Sequence, residues 1–456
     1  MTKVITYGTF DLFHEGHYRL LQRAKELGDY LIVGVTTEEY DQTRGKLNVV
    51  DSLMTRIENV KKSGFADEVL IESSPGQKAL DIQKYQVDIF TVGSDWVGQF
   101  DYLNEYCKVV YLERTKNISS TILRAQKASI QRIGIIGTGR IAERFIPEAK
   151  LVSGINTEAV YNPHLESAKR FAKKWEIDAY ESLDEFYDAV DAVYIASPHE
   201  THYQYIQSAL RHKKHVLCEK PMVLARSQAQ ELFEYAKEQG LILFEGIKTA
   251  YCPGFTKLLG IACSGMIGTI RNIEACFTKL ENPLSRELTD AKYGGSFTEL
   301  GSYVMLPILK ILGSQFQELR FDSIKGENGL DLFTKAYFTY GEGMGTATCG
   351  LGVKSEGRLV ISGTLGYIVV EAPWWKTAYF EVHHEDPRDV EKFSERFLGD
   401  GLRYEISDFL SMINGSSRSE YKLTRGDSVA LAGVMEKFLE TEGREMNAVM
   451  EGQMKE

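Results

Sequence analysis

At 456 residues the chain exceeds what one core ordinarily organises and points to about three domains. Its formal net charge of −11 excludes general binding to nucleic acid or acidic membranes and leaves anions to be held by local cations. Six cysteines without a CxxC spacing read as reduced thiols, and no cationic apolar leader or apolar run of about 18 residues is present, so a cytoplasmic protein with no membrane insertion is expected.

Val4-Ile5-Thr6-Tyr7 reads as a buried strand and Gly8-Thr9-Phe10-Asp11 as the turn that leaves it. A helix then begins at His14, with Leu20, Leu21, Ala24 and Leu27 on one face. Gly28-Asp29 stops that helix and Tyr30 to Val35 is a second strand, which predicts a parallel βαβ unit. His14 and His17 thus stand at the mouth of a helix, where backbone N–H groups and the helix dipole favour an anion, and Gly16 lets a ligand approach the backbone. A bare HxGH names attack on the α-phosphate of a nucleotide but no base. Ile89 to Val92 predicts a further strand, placing Gly93-Ser94-Asp95-Trp96 at its carboxyl end, where open α/β sheets bind ligands. Arg44 and Lys46 fit a solvated loop as well as a phosphate site, and Trp96 fits core packing as well as a base platform.

Together with Arg56 and Arg114-Thr115-Lys116-Asn117-Ile118-Ser119-Ser120-Thr121, these motifs resemble the cytidylyltransferases in order and spacing, and among them the CTP:glycerol-3-phosphate cytidylyltransferases, over about residues 1–126. The resemblance implies cytidylyl transfer from CTP to a polyol phosphate, with Mg2+ and release of pyrophosphate. It implies nucleotide contacts from Thr9, Phe10, His14, His17, Asp95, Trp96, Arg114, Thr115, Ser119 and Ser120, and acceptor contacts from Arg44, Lys46 and Arg56. Asn117 and Ser120 stand where Gly and Thr are usual. The chemistry agrees: attack at phosphorus gathers negative charge on one centre, so donors and cations such as His14, His17, Lys46 and Arg114 serve better than a covalent nucleophile.

In the second half, Arg132-Ile133-Gly134-Ile135-Ile136 runs into Gly137-Thr138-Gly139-Arg140-Ile141-Ala142, a G-x-G-x-x-A that opens a helix. The first glycine permits a tight turn, the second close approach of a pyrophosphate, and Ala142 close helix packing. Asn162, at the end of the next strand, replaces the acidic residue that would hold the ribose of NAD, so the cofactor stays open between NADP and NAD with a lean to NADP. Asp191 to Ala196 predicts a strand ending in Ser197-Pro198-His199, and His215-Val216-Leu217-Cys218 one ending in Glu219-Lys220-Pro221.

These features, with Pro198 to His202 and Gly294 to Tyr303, resemble the Gfo/Idh/MocA oxidoreductases over about residues 130–445. The resemblance implies cofactor contacts from Gly137, Gly139, Arg140, Ile141, Asn162, Ser197, Pro198, His202, Glu219 and Lys220, and substrate contacts from Lys220, Glu299 and Tyr303. Glu299 and Tyr303 stand where Asp and His are usual. Reducing a ketone leaves an alkoxide that needs a proton, and Tyr303 is expected to give it, Lys220 being the cation that lowers its pKa from about 10. The strand-rich text from Ile267 to Phe277, Leu332 to Tyr340 and Arg358 to Glu371 suits the family's second domain, and a helix is expected to start near Thr424 or Asp427.

The expected architecture is α/β: an HxGH nucleotidyltransferase Rossmann-like domain at 1–126, a semi-rigid linker at 127–131, a dinucleotide-binding Rossmann domain at 132–250, an α+β substrate and oligomerisation domain with an open, mostly antiparallel sheet at 251–445, and a tail at 446–456. The expected function is a bifunctional enzyme that reduces a ketose phosphate and activates the resulting polyol phosphate, glycerol 3-phosphate first, for teichoic acid or capsule. Its partners are small molecules and further copies of itself, as a dimer or tetramer. Alternatives are a second half that acts on an unrelated sugar or on the CDP-polyol, or one that only senses a dinucleotide.

Overall fold

The computed structural model describes residues 1–11, 13–37, 40–41, 49, 51, 53–74, 76–113, 131–414 and 422–444. They form two compact units.

In the first unit, β1 (Lys3–Gly8), β2 (Tyr30–Thr36), β3 (Glu68–Glu72), β4 (Ile89–Gly93) and β5 (Lys108–Leu112) form one parallel sheet in the order β3-β2-β1-β4-β5. The apolar runs of β1 and β2 bury both faces, as a parallel sheet covered on each side requires. Helix α1 (Glu15–Glu26) buries Leu21 and Ala24 against Val4, Leu31 and Val33, with Leu20 and Leu27 packed on the same core, which is the face its periodicity gives. Each fully buried Leu or Val contributes roughly 1.5–3 kcal/mol. Strand order reverses between β1 and β4, so a crevice opens at their carboxyl ends, where Gly8-Thr9-Phe10 and Gly93-Ser94 leave the sheet.

The second unit, Ile133–Ile146 with Thr157–Glu456, carries most of β6 (Gln131–Ile136) and β7 (Ile155–Tyr161) and all of β8 (Asp178–Tyr180), β9 (Ala192–Ile195), β10 (His215–Glu219) and β11 (Leu243–Gly246), in the order β11-β10-β9-β6-β7-β8. This is the doubly wound order with its switch point between β6 and β9, and helix α2 (Arg140–Ala149) leaves β6 there. Gln131 is already strand, inside the expected linker, whose remaining residues lie outside the described ones.

The second sheet of this unit comprises β12 (Ile270–Thr278), β13 (Glu318–Lys325), β14 (Asp331–Thr339), β15 (Met344–Gly350), β16 (Leu359–Gly363), β17 (Gly366–Val370), β18 (Tyr379–His384) and β19 (Val390–Ser394). Their order is β13-β14-β15-β12-β16-β17-β18-β19, and only β12 with β15 is parallel. The stretch from Arg358 to Glu371, taken from its pattern as one strand-rich run, is a hairpin that turns at Thr364-Leu365. Two helices cover this region. The first, α4 (Ser296–Leu312), lies on β12, β14 and β15, and α5 (Arg425–Thr441) packs on α4 and on the helix Arg226–Glu238 of the nucleotide-binding part. The latter starts where its sequence says: Thr424 is the N-cap, and a capping box joins it to Asp427. Helix α3, the four residues Lys248–Tyr251, follows β11 directly. Among the described residues no helix is long and apolar enough to cross a membrane.

Candidate active sites

In the first unit the chain leaves β1 through Phe10, whose φ of 53° is a strained value for a side-chain-bearing residue. His14 then caps α1: its Nδ1 accepts the Gly16 N–H at 3.0 Å. A Cβ on residue 16 would lie 2.8 Å from that ring, so glycine is what allows the imidazole to fold back over the helix end. With Nδ1 an acceptor, the proton of the neutral ring sits on Nε2, a donor. His17 stacks on His14 with centroids 3.9 Å apart and planes at 21°. Two imidazoles are therefore gathered at a helix N-terminus, beside the crevice of the sheet.

Thr9 is buried and donates to Asp41 at 2.9 Å, and Asp41 also accepts from Thr36 at 2.6 Å. Arg56 departs from expectation. It is 0% exposed, donating to the carbonyls of Thr9 (2.9 Å), Thr36 (2.7 Å) and Asp51 (3.0 Å), with Asp41 at 3.7 Å. Its guanidinium braces the turn that carries Thr9 and is not presented to an acceptor phosphate. Trp96 closes the short helix Ser94–Trp96 after β4 and is 38% exposed, its ring 5.9 Å from Phe100, so it is no core residue. Asp95 shares that short helix. Arg44, Lys46, Arg114, Thr115, Ser119 and Ser120 lie outside the described residues. Also among the described residues, no group of three or more His, Cys, Asp or Glu gathers as a metal cage, and no step below is routed through Mg2+.

The second unit fits a dinucleotide. Gly137 has φ 107°, and a Cβ there would meet the Ala196 carbonyl at 2.5 Å, whereas a Cβ at Gly139 would enter open space. One glycine makes the turn, and the other leaves the room a pyrophosphate needs before α2, on which Ala142 is fully buried. Asn162 donates to Thr138 Oγ1 at 3.0 Å and accepts from the His164 N–H at 2.8 Å, so the neutral amide is fixed beside the glycine turn. Ile141 follows at the start of α2. Arg140 pairs with Glu287 at 2.5 Å and Glu281 at 3.8 Å while two-thirds exposed, which engages its charge with protein carboxylates.

His202 also departs from expectation. It is 0% exposed, with Nδ1 at 2.9 Å from the Pro221 carbonyl and Nε2 at 2.9 Å from the Ser197 carbonyl. Burial lowers its pKa to about 4, so the ring is neutral and donates to one carbonyl at a time. It ties the Ser197-Pro198 turn to the Lys220-Pro221 turn and does not face a cofactor.

At the end of β10, Lys220 Nζ donates to the Glu299 carbonyl at 2.9 Å and to its Oε1 at 3.1 Å. Glu219 accepts from the buried Tyr194 hydroxyl at 2.6 Å, and burial raises its carboxyl above the usual range. Lys220 lies 5.7 Å from the Tyr303 ring centroid. The expected lowering of the Tyr303 pKa is reversed: burial, then the carboxylates of Glu219, Glu405 and Glu299, hold its phenol well above 10. One cation tethered to Glu299 does not outweigh desolvation and three acids.

His199 was not among the expected site residues. Its side chain is 9% exposed and its Nε2 lies 3.5 Å from Glu299 Oε2, so Glu299 bridges Lys220 and His199. Burial and then Lys220 push its pKa well below 6.5, which keeps the ring neutral. The signal was its place directly after Ser197-Pro198 at a strand's carboxyl end.

Beneath these groups, burial raises the Glu245 carboxyl to about 7 while it accepts the Met222 N–H at 3.0 Å. Its folded pKa exceeds the unfolded value of about 4.3, so this stabilisation is complete below that value and is lost as pH rises through about 7. Glu245→Gln is expected to flatten the fall in melting temperature between about pH 5 and about pH 8, followed by calorimetry. A slope equal to that of the parent would place the titration elsewhere.

The two crevices define a nucleotidyltransferase joined to a dinucleotide-dependent oxidoreductase. Residues 5–126 match a cytidylyltransferase-like family, and 131–247 an oxidoreductase family with an NAD-binding Rossmann fold. A glycerol-3-phosphate cytidylyltransferase from Bacillus spizizenii is 49% identical over 130 residues, which is 28% of this chain and 100% of that protein. A trans-1,2-dihydrobenzene-1,2-diol dehydrogenase from Sus scrofa is 28% identical over 319 residues, covering 67% of this chain and 95% of that protein. A crystal structure of a 3-ketoreductase from Actinomadura kijaniata with TDP-benzene and NADP, in an open conformation, is 25% identical with a TM-score of 0.57, covering 67% of this chain and 96% of that one. The chain belongs to the cytidylyltransferases in its first part and carries a Gfo/Idh/MocA oxidoreductase domain in its second.

Proposed function

We propose that the chain makes a CDP-activated polyol in two steps, reducing a ketose phosphate and then cytidylylating the polyol phosphate, with dihydroxyacetone phosphate and glycerol 3-phosphate as the first candidates. One observation carries this: a unit 49% identical to a glycerol-3-phosphate cytidylyltransferase over that enzyme's whole length shares a chain with a ketone-reducing constellation of Lys220 and Tyr303.

For the first step Gly137, Gly139 and the start of α2 would hold NADPH or NADH, which would supply the hydride that reduces the ketone and leave as NADP+ or NAD+. Lys220, steadied by Glu299, orients the carbonyl oxygen, and the Tyr303 hydroxyl gives that oxygen its proton. Phe277 and Trp375, stacked with centroids 3.6 Å apart, form an apolar wall beside Tyr303. The neutral Asn162 and the NADP in the ketoreductase structure support NADP as the partner.

In the second step a phosphate oxygen of the polyol phosphate attacks the α-phosphorus of CTP. The bond to the β-phosphate oxygen breaks and pyrophosphate leaves. His14, His17 and the N–H groups opening α1 accept the charge that builds at this centre, while Trp96 offers a ring face to the nucleotide. Mg2+ would enter with the triphosphate. The product suits a phosphopolyol surface polymer such as teichoic acid or capsule, made in the cytoplasm by an enzyme associating as a dimer or tetramer.

Incubating the full chain with CTP, Mg2+ and glycerol 3-phosphate is expected to release one pyrophosphate per CDP-glycerol, and dihydroxyacetone phosphate is expected to oxidise NADPH. Absence of pyrophosphate with every polyol phosphate tried would sink the transferase half. NAD(P) reduction by CDP-polyols alone would reverse the order of the steps.

A further inference from the structure

Strands β10 and β11 run side by side with Glu219 opposite Gly246, so the chain leaving β11 passes the carboxyl end of the sheet next to Lys220. Ile247 is fully buried there and Lys248 opens α3. The neighbouring polar groups have partners inside the protein: Lys220 has Glu299, Glu219 has Tyr194, and Thr249 Oγ1 donates to the Trp375 carbonyl at 2.8 Å. That last bond ties α3 to the aromatic wall, since the Trp375 ring stacks on Phe277 and Phe277 lies 5.4 Å from Tyr303.

Lys248 differs. It is half-buried, and among the described residues its ammonium has neither a hydrogen bond nor an ion pair. Its charge nevertheless reaches the site, because it lowers the pKa of both the Glu219 carboxyl and the Cys252 thiol against their burial. A half-buried lysine whose ammonium has no carboxylate partner is open to an arriving anion. A neutral ketose brings none, whereas a ketose phosphate does.

We propose that Lys248 binds the phosphate of the ketose substrate and sets the preference of the reductase for phosphorylated over neutral ketoses. Lys220 then serves the carbonyl end of the substrate and Lys248 its anionic end. The assignment rests on the ketose phosphate reading above and names the residue that recognises it.

The test compares the 456-residue chain in its wild-type form with Lys248→Met and Lys248→Arg in NADPH oxidation with dihydroxyacetone phosphate and with dihydroxyacetone. Lys248→Met is expected to raise KM for the phosphorylated ketose about 10- to 100-fold more than for the neutral one, the loss of one charge-assisted contact, and Lys248→Arg to restore most of it. NADPH binding by each variant checks that the unit is folded. An equal effect on both ketoses, or none, overturns the assignment and leaves the ketose phosphate reading standing. A wild type that turns over only neutral ketoses overturns both. If no ketose is turned over, NADPH fluorescence titrated with dihydroxyacetone phosphate reports on the reductase site alone. A signal present in the wild type and lost in Lys248→Met upholds Lys248 as an anion site while the turnover reading fails, and no signal in the wild type overturns it.

Discussion

Replacing His14 with alanine is expected to lower kcat for cytidylyl transfer about 10²- to 10³-fold, the usual cost of removing one preorganised donor from a charge-accumulating transition state. The geometry says which atom is lost. Nδ1 is occupied by the Gly16 N–H, so the donor is Nε2, and the same ring carries His17 stacked upon it. Alanine also removes a helix cap, which costs about 1 kcal/mol, so a stability loss could be mistaken for a catalytic one. His14→Asn separates them, since asparagine caps well but has no N–H where Nε2 stands. It should melt like the parent and be as slow as the alanine variant in pyrophosphate release. Gly16→Ala is a second route to the same defect, because its Cβ would displace the His14 ring. Ketone reduction by the same preparations serves as the internal control, and His14→Asn with parental transfer rates would remove His14 from the chemistry.

What was legible in the residues was local. The strand, the turn and the HxGH helix start lie within one βαβ unit, and the capping box at Thr424 and Asp427 spans one helical turn, so pattern and chemistry agree without tertiary information. Arg56 and His202 show the complementary limit. Each is polar and near a motif, but spacing does not say whether a side chain faces a ligand or a backbone carbonyl. The fold turns Arg56 to the Thr9 and Thr36 carbonyls and His202 to Ser197 and Pro221. The pKa of Tyr303 failed similarly. Lys220 and Glu219 share one short motif and Glu299 lies one turn before Tyr303 on its own helix, but the burial of the phenol and the approach of Glu405 from the helix Leu402–Ile413 are tertiary. Lys248 carries no motif of its own, and only the pairing of β11 with β10 brings the chain that carries it to the carboxyl end of the sheet where Lys220 stands.

The reversed Tyr303 shift gives the oxidoreductase its sharpest test. Tyr303→Phe is expected to lower ketone reduction about 10²- to 10⁴-fold, the range for loss of a general acid, with NADPH binding kept. The pH profile then separates two accounts of that acid. If Lys220 dominated, the phenol would ionise below its ordinary value near 10 and the rate would fall as pH rises through the mildly alkaline range. With burial and three carboxylates dominating, the neutral phenol persists above that value, so the wild-type rate shows no alkaline limb from Tyr303 up to about pH 10. A high pKa keeps the proton available but makes it a weaker acid, which Lys220 offsets by stabilising the alkoxide as it forms. Lys220→Met should therefore lose at least as much rate as Tyr303→Phe, since it also leaves the Glu299 carboxylate without its cation. Should Tyr303→Phe turn over at the parental rate, the proton must come from another group, and His199, a neutral ring 3.5 Å from Glu299, is the next donor to remove.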